Sequence, residues 1–82
     1  MHTFVNVYYT FLYYNTVKFS ENVKMLRAQF GYTQKQLGDK LGISPSNISD
    51  WENGISRPEY ENLIKLADIF DVTLDELLGR KI

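Results

Sequence analysis

Apolar positions change period once along this chain. Over residues 3–13 they alternate. Thr3, Val5, Val7, Tyr9, Phe11 and Tyr13 fall on one side of a period-two pattern, and Phe4, Asn6, Tyr8, Thr10 and Leu12 on the other. That is the alternation of a pleated strand, written in branched and aromatic side chains that suit a pleated surface. Asn15-Thr16 then fits a turn into a short second strand at 17–19.

From Ser20 the spacing is helical. Ser20 suits an N-cap, with Glu21 in the first turn where the helix dipole favours a carboxylate. Val23, Leu26 and Phe30 follow at helical intervals, and Gly31 marks the stop. Thr33 caps a second helix carrying Leu37 and Leu41, ended by Gly42. Ser44-Pro45 is a cap followed by proline at the first helical position, and it opens a third helix with Ile48 and Trp51 that stops at Asn53-Gly54. Arg57-Pro58 introduces a fourth, with Leu63, Ile64, Leu66, Ala67 and Phe70. Thr73 caps a short fifth with Leu74, Leu77 and Leu78, closed by Gly79. The corner Leu41-Gly42-Ile43-Ser44 between helices two and three is a short glycine-containing turn of the kind that joins a helix-turn-helix pair.

With 82 residues there is room for one core. The absence of cysteine rules out a disulfide framework and a thiolate metal site, and the single His2 cannot form a histidine cluster. No Ser/His/Asp or Cys/His set is available and no phosphate-cradling glycine run, so no enzyme is expected; nor is a metal or a cofactor. The paired acids Asp75 and Glu76 fit the first turn of the fifth helix as a dipole effect.

Net charge is −1, which taken whole argues against a nucleic-acid partner, but it divides unevenly. Residues 1–58 hold six basic against four acidic groups, a net +2, and residues 59–82 hold three against six, a net −3. Aromatics are lopsided too, with seven of the twelve in residues 1–19. Asn6, Thr10, Asn15, Thr16 and Lys18 interrupt that segment well short of a membrane span of about 20 apolar residues. It has neither the basic start nor the small-residue cleavage site of a secretion signal. The expectation is an intracellular protein with no membrane partner.

The stretch LRAQFGYTQKQLGDKLGISPSNISDWENG, followed by RPEYENLIKLADIFDVTLDELLG, resembles the lambda-repressor/Cro-type helix-turn-helix regulators over roughly residues 20–79. The resemblance is carried by Thr33-Gln34, Leu37, Gly42, Ser44, Ile48, Trp51-Glu52, Gly54, Pro58, Leu66-Ala67 and Leu77-Leu78-Gly79. Gly38 departs from the alanine usual in that family. A helix-interior glycine costs about 1 kcal/mol relative to alanine, so Gly38 is expected to lower stability and leave the role unchanged.

The resemblance implies DNA binding, and the third helix has a face for it. At 100° per residue, Trp51 and Glu52 lie within about 60° of Ile48, whereas Ser46, Asp50 and Asn53 lie about 140–200° away. The outward face is short and polar, able to enter a B-DNA major groove about 12 Å wide; read without the resemblance, it is equally a solvated helix surface. The resemblance puts Ser44, Pro45, Ser46 and Asp50 on base edges. It puts Thr33, Gln34, Asn47 and Asn53 on the sugar-phosphate backbone. Thr33 and Gln34 stand at a helix N-terminus, which attracts phosphate; Lys35 and Arg57 are near enough to add charge. Asp50 is repelled by phosphates but can accept a hydrogen bond from cytosine N4; the alternative is that it caps or pairs within the protein. Glu52 is an acid on the core side and needs a partner. The family pairs the positions of Arg27 and Glu52, which implies a structural ion pair between helices one and three.

The expectation is therefore all-α: a five-helix lambda-repressor-like DNA-binding domain at 20–82 with an added N-terminal β-strand or extended arm at 1–19. It would act as a sequence-specific, cytoplasmic (nucleoid-associated) transcriptional regulator in a bacterial or phage context, a repressor in expectation. Its partner would be double-stranded DNA with twofold-related half-sites. As a homodimer it would pair through Val5, Val7, Tyr9, Phe11 and Tyr13, since an unpaired strand of that kind invites aggregation. The alternatives are a dimer through the fifth helix or an arm folded loosely back on the bundle. The competing function is a protein-interaction module, such as an antitoxin or an assembly subunit with an unknown protein partner.

Overall fold

The computed structural model describes residues 18–80, and among them every regular element is an α-helix. α1 is helical over 18–29, followed by α2 (Gln34–Leu41), α3 (Pro45–Glu52), α4 (Tyr60–Phe70) and α5 (Leu74–Leu78). The strand or arm expected at residues 3–13, with its pairing positions, lies outside the described residues.

The start of α1 differs from the sequence reading. Lys18 and Phe19 are helical, where a short strand was expected to end, and Ser20 sits inside the helix rather than capping it. Burial is the reason. Phe19 is 4% exposed and falls one turn before the fully buried Val23, so continuing the helix backwards adds an aromatic ring to the core stripe. Burying such a side chain is worth roughly 1.5–3 kcal/mol, more than a serine cap contributes at about 1 kcal/mol.

Among the described residues ten form the core: Phe19 and Val23 from α1, Leu37 and Leu41 from α2, Ile48 and Trp51 from α3, Leu66, Ala67 and Phe70 from α4, and Leu77 from α5. The periodicity expected Phe30 and Ile64 to join them, but they are 43% and 40% exposed. Phe30 instead sets its ring edge-on against Phe70, with centroids 5.3 Å apart, and lies 6.1 Å from Tyr32. Lys40 covers the outer face of Tyr32 at 5.0 Å.

Helix starts follow local rules. Thr33 and Thr73 each build a capping box: the threonine hydroxyl accepts the N–H three residues on (Gln36 and Glu76, both at 3.0 Å), and that residue's side chain accepts the threonine N–H at 2.8 Å. Glu76 thus does more than complement the dipole. α4 starts two residues after Pro58, on an extended Glu59 whose side chain makes no capping bond. It ends on Asp71 in the left-handed region at φ 54°, the one such residue among the described residues that is not glycine. Asn22 closes the bundle by donating its side-chain amide to the carbonyls of Glu76 and Leu77, both at 3.2 Å, where the end of α5 leaves carbonyls without helical partners.

The corner that aims α3 is tight. Gly42 is left-handed at φ 74°, the Ile43 N–H returns to the Gly38 carbonyl at 2.9 Å, and the Ser44 hydroxyl accepts the Asn47 N–H at 3.4 Å. Gly38 is where the sequence expectation needs correcting. A Cβ on Gly38 would stand 2.7 Å from the Ile43 carbonyl oxygen, closer than van der Waals contact permits. At this closeness of the α2–α3 corner a side chain at position 38 would require the backbone around Ile43 to shift.

Candidate nucleic-acid interface

α3 is held by its inner face. Ile48 is fully buried and Trp51 4% exposed, and these two anchors fix which side chains look outward. Ser44, Pro45, Ser46 and Asn47 are exposed, in one run over the cap and first turn of the helix. Asp50 is half-buried. Its carbonyl accepts the N–H groups of Ile55 at 2.9 Å and Ser56 at 3.4 Å, but its carboxylate makes no hydrogen bond or ion pair among the described residues. The carboxylate neither caps a helix nor pairs within that part of the protein.

The residues assigned to the DNA backbone differ in how they are engaged. The Thr33 hydroxyl accepts the Gln36 N–H, which leaves its own hydrogen free to donate. Gln34, the first residue of α2, donates its side-chain amide to Glu52 at 3.1 Å. Asn53, which follows α3, donates its amide to the Ser49 hydroxyl at 3.3 Å. Lys35 pairs with Asp39 one turn on at 3.1 Å, both largely exposed, a contact that solvent and salt weaken readily. Arg57 is exposed and lines a groove of about 310 Å³ with Asn47, Trp51, Ser56, Pro58, Glu59 and Asn62. The groove thus brings Asn47 of α3 and Arg57 of the following loop to one depression, about 10 residues apart in sequence.

Behind this surface Arg27 and Glu52 form an ion pair. Arg27 Nε donates to Glu52 Oε2 at 2.5 Å and Nη2 to Oε1 at 3.1 Å, a two-pronged contact that fits the planar guanidinium. Nη1 donates to the Tyr32 carbonyl at 2.9 Å. The side chains are 16% and 3% exposed. The hydrogen bond that Arg27 donates to Glu52 raises the arginine pKa further above its ordinary value, burial works against it, and the Glu52 charge adds to the rise. Burying a charge pair is tolerable only when its hydrogen bonds are complete, and here the carboxylate accepts from Arg27 twice and from Gln34 once. One contact therefore ties α1, the α1–α2 loop, α2 and α3 together. The sequence reading did not find the Gln34 contact, and neither helical spacing nor charge pattern signals it. The capping boxes were legible as Thr-x-x-Gln at 33–36 and Thr-x-x-Glu at 73–76.

Among the described residues, no group of three or more His, Cys, Asp or Glu side chains could hold a metal ion, and no helix is long and apolar enough to cross a membrane.

The fold and the α2–α3 corner define a helix-turn-helix protein, and the helix-turn-helix family model matches residues 23–77. The chain belongs to this family. It is 45% identical over 60 residues to the HTH-type transcriptional regulator YqaE of Bacillus subtilis, covering 73% of this chain and 52% of that protein. It is 38% identical over 64 residues to RstR, the cryptic phage CTXphi transcriptional repressor of Vibrio cholerae, covering 78% and 57%. The chain spans about half the length of the curated relatives it matches. Among solved structures it superposes on the SOS-response transcriptional repressor LexA from Eubacterium rectale with a TM-score of 0.74 at 30% identity, covering 82% of this chain and 71% of that one.

Proposed function

We propose that this chain is a sequence-specific double-stranded DNA-binding transcriptional regulator, a repressor, that works in the cytoplasm by laying α3 in the major groove. One observation carries the reading. The buried Ile48 and Trp51 turn a run of short exposed residues, Ser44 to Asn47, outward. No long aliphatic side chain in that run holds the helix off a duplex. Ser44, Pro45, Ser46 and Asp50 meet base edges. Thr33, Gln34, Lys35, Asn47, Asn53 and Arg57 meet the sugar-phosphate backbone. Two of the relatives are named as transcriptional repressors, which supports the direction of regulation.

The regulator acts as a homodimer on twofold-related half-sites about one helical turn apart. The residues ahead of α1, with Val5, Val7, Tyr9, Phe11 and Tyr13, supply the dimer contact. Deleting residues 1–17 and measuring mass in solution tests this last point: loss of the dimer is expected, and an unchanged dimer moves the contact to α5 or elsewhere in the bundle.

Selection of bound sites from a random duplex pool, followed by a salt titration, tests the function. The expected result is an enriched sequence with dyad symmetry, and log affinity that falls linearly with log salt. Absence of salt-dependent binding to any duplex would leave the protein-interaction module as the better reading.

A further inference from the structure

We infer that Glu52 is a positioning residue for DNA contact: its carboxylate, held by Arg27, pre-orients the side-chain amide of Gln34 toward the phosphate backbone. The inference rests on the DNA-binding reading above and adds a role to an ion pair otherwise read as structural.

The geometry runs outward from the core. Glu52 is 3% exposed on its side chain and accepts three hydrogen bonds, two from Arg27 and one from Gln34 Nε2 at 3.1 Å. A primary amide carries two N–H donors in one plane, diverging by about 120°. When one of them is directed inward onto Glu52, the other is turned away from the carboxylate, toward the half-exposed side of Gln34. An exposed glutamine has many rotamers, and ordering it on binding costs about 0.5–1.5 kcal/mol. Here that ordering is complete before DNA arrives. Arg27 is in turn fixed by the Tyr32 carbonyl at 2.9 Å, so the amide is referenced to the loop between α1 and α2 as well as to α3. No buried polar side-chain atom among the described residues lacks a partner, so the network is complete without ligand and the outward N–H is what it leaves for one.

The test compares the effect of Gln34→Ala in two backgrounds, using the full chain and the duplex obtained by selection. In the natural background the substitution is expected to weaken binding about five- to tenfold, the size of one lost hydrogen bond. In the Arg27→Met/Glu52→Met background no charge is left unpaired but the acceptor is gone, and there Gln34→Ala is expected to change affinity less than about twofold. Equal penalties in both backgrounds would mean that the ion pair is structural only, and would overturn the inference while the DNA-binding reading stood. No binding by the natural chain overturns both. Should the double variant fail to fold, NMR of the free natural protein decides. Two well-separated Gln34 amide proton resonances with one protected from solvent exchange are expected, and random-coil shifts with unhindered exchange for both reject the positioning role.

Discussion

The Ile43 carbonyl oxygen stands 2.7 Å from the point where a Cβ on Gly38 would lie, and its N–H donates to the Gly38 carbonyl at 2.9 Å. Two effects then oppose each other in Gly38→Ala. Helix propensity favours alanine by about 1 kcal/mol, and overpacking a closed corner costs about 1–3 kcal/mol because backbone, not a flexible side-chain tip, must move. The clash should win. Chemical denaturation is expected to show Gly38→Ala less stable by about 1 kcal/mol; a gain in stability would show that the corner relaxes freely.

The Arg27–Glu52 pair gives an asymmetric prediction. Arg27→Met leaves a 3%-exposed carboxylate without its cation, which should destabilise the fold by about 3–5 kcal/mol. Removing both charges, Arg27→Met with Glu52→Met, should recover most of that loss, because an apolar pair of similar volume carries no desolvation cost. Urea midpoints of the single and double variants measure the difference. A double variant as unstable as Arg27→Met alone would place the stabilisation in packing around the arginine stem instead.

Asp50 is the proposed base reader with a carboxylate that has no partner among the described residues. Asp50→Ala is expected to relax preference at one base pair of the selected site by about 1–3 kcal/mol, while the other positions keep their preference. Competition binding against single-base variants reads this directly. Uniformly tighter binding to every variant, with preference unchanged, would reduce Asp50 to a repulsive charge.

Thr73 and Glu76 form a capping box on a helix of only five residues, too short to persist on its own propensity. Thr73→Ala should cost about 1 kcal/mol and loosen the end of the bundle where Asn22 meets Glu76 and Leu77. Amide hydrogen exchange is expected to rise first over 74–80; protection unchanged there would mean that burial of Leu77 alone holds α5.

How much of the fold is legible in the sequence follows from the range of each interaction. Cap residues act within three positions, so Thr33, Ser44 and Thr73 announced helix starts, and the glycines after α1, α2, α3 and α5 announced most of the ends. Asp71 ends α4 in the same left-handed conformation without a glycine, which composition does not signal. The outward set on α3 was readable because one buried isoleucine and one buried tryptophan fix the rotation of an eight-residue helix.

By itself, then, the sequence determined the five helices, the inward and outward faces of α3, and through its motif the family. Only the tertiary structure decided that α1 runs back through Phe19, that Phe30 and Ile64 stay partly exposed, that the Ile43 carbonyl crowds the position a Cβ on Gly38 would take, and that Glu52 holds Gln34 as well as Arg27. The physical reason is the same in each case. Caps, turns and periodicity are local and are written in neighbouring letters. The depth of a core, the closing distance of a corner and the third donor to a buried carboxylate depend on residues distant in sequence, such as Arg27 and Glu52 or Phe30 and Phe70, brought together by the packing of the whole bundle.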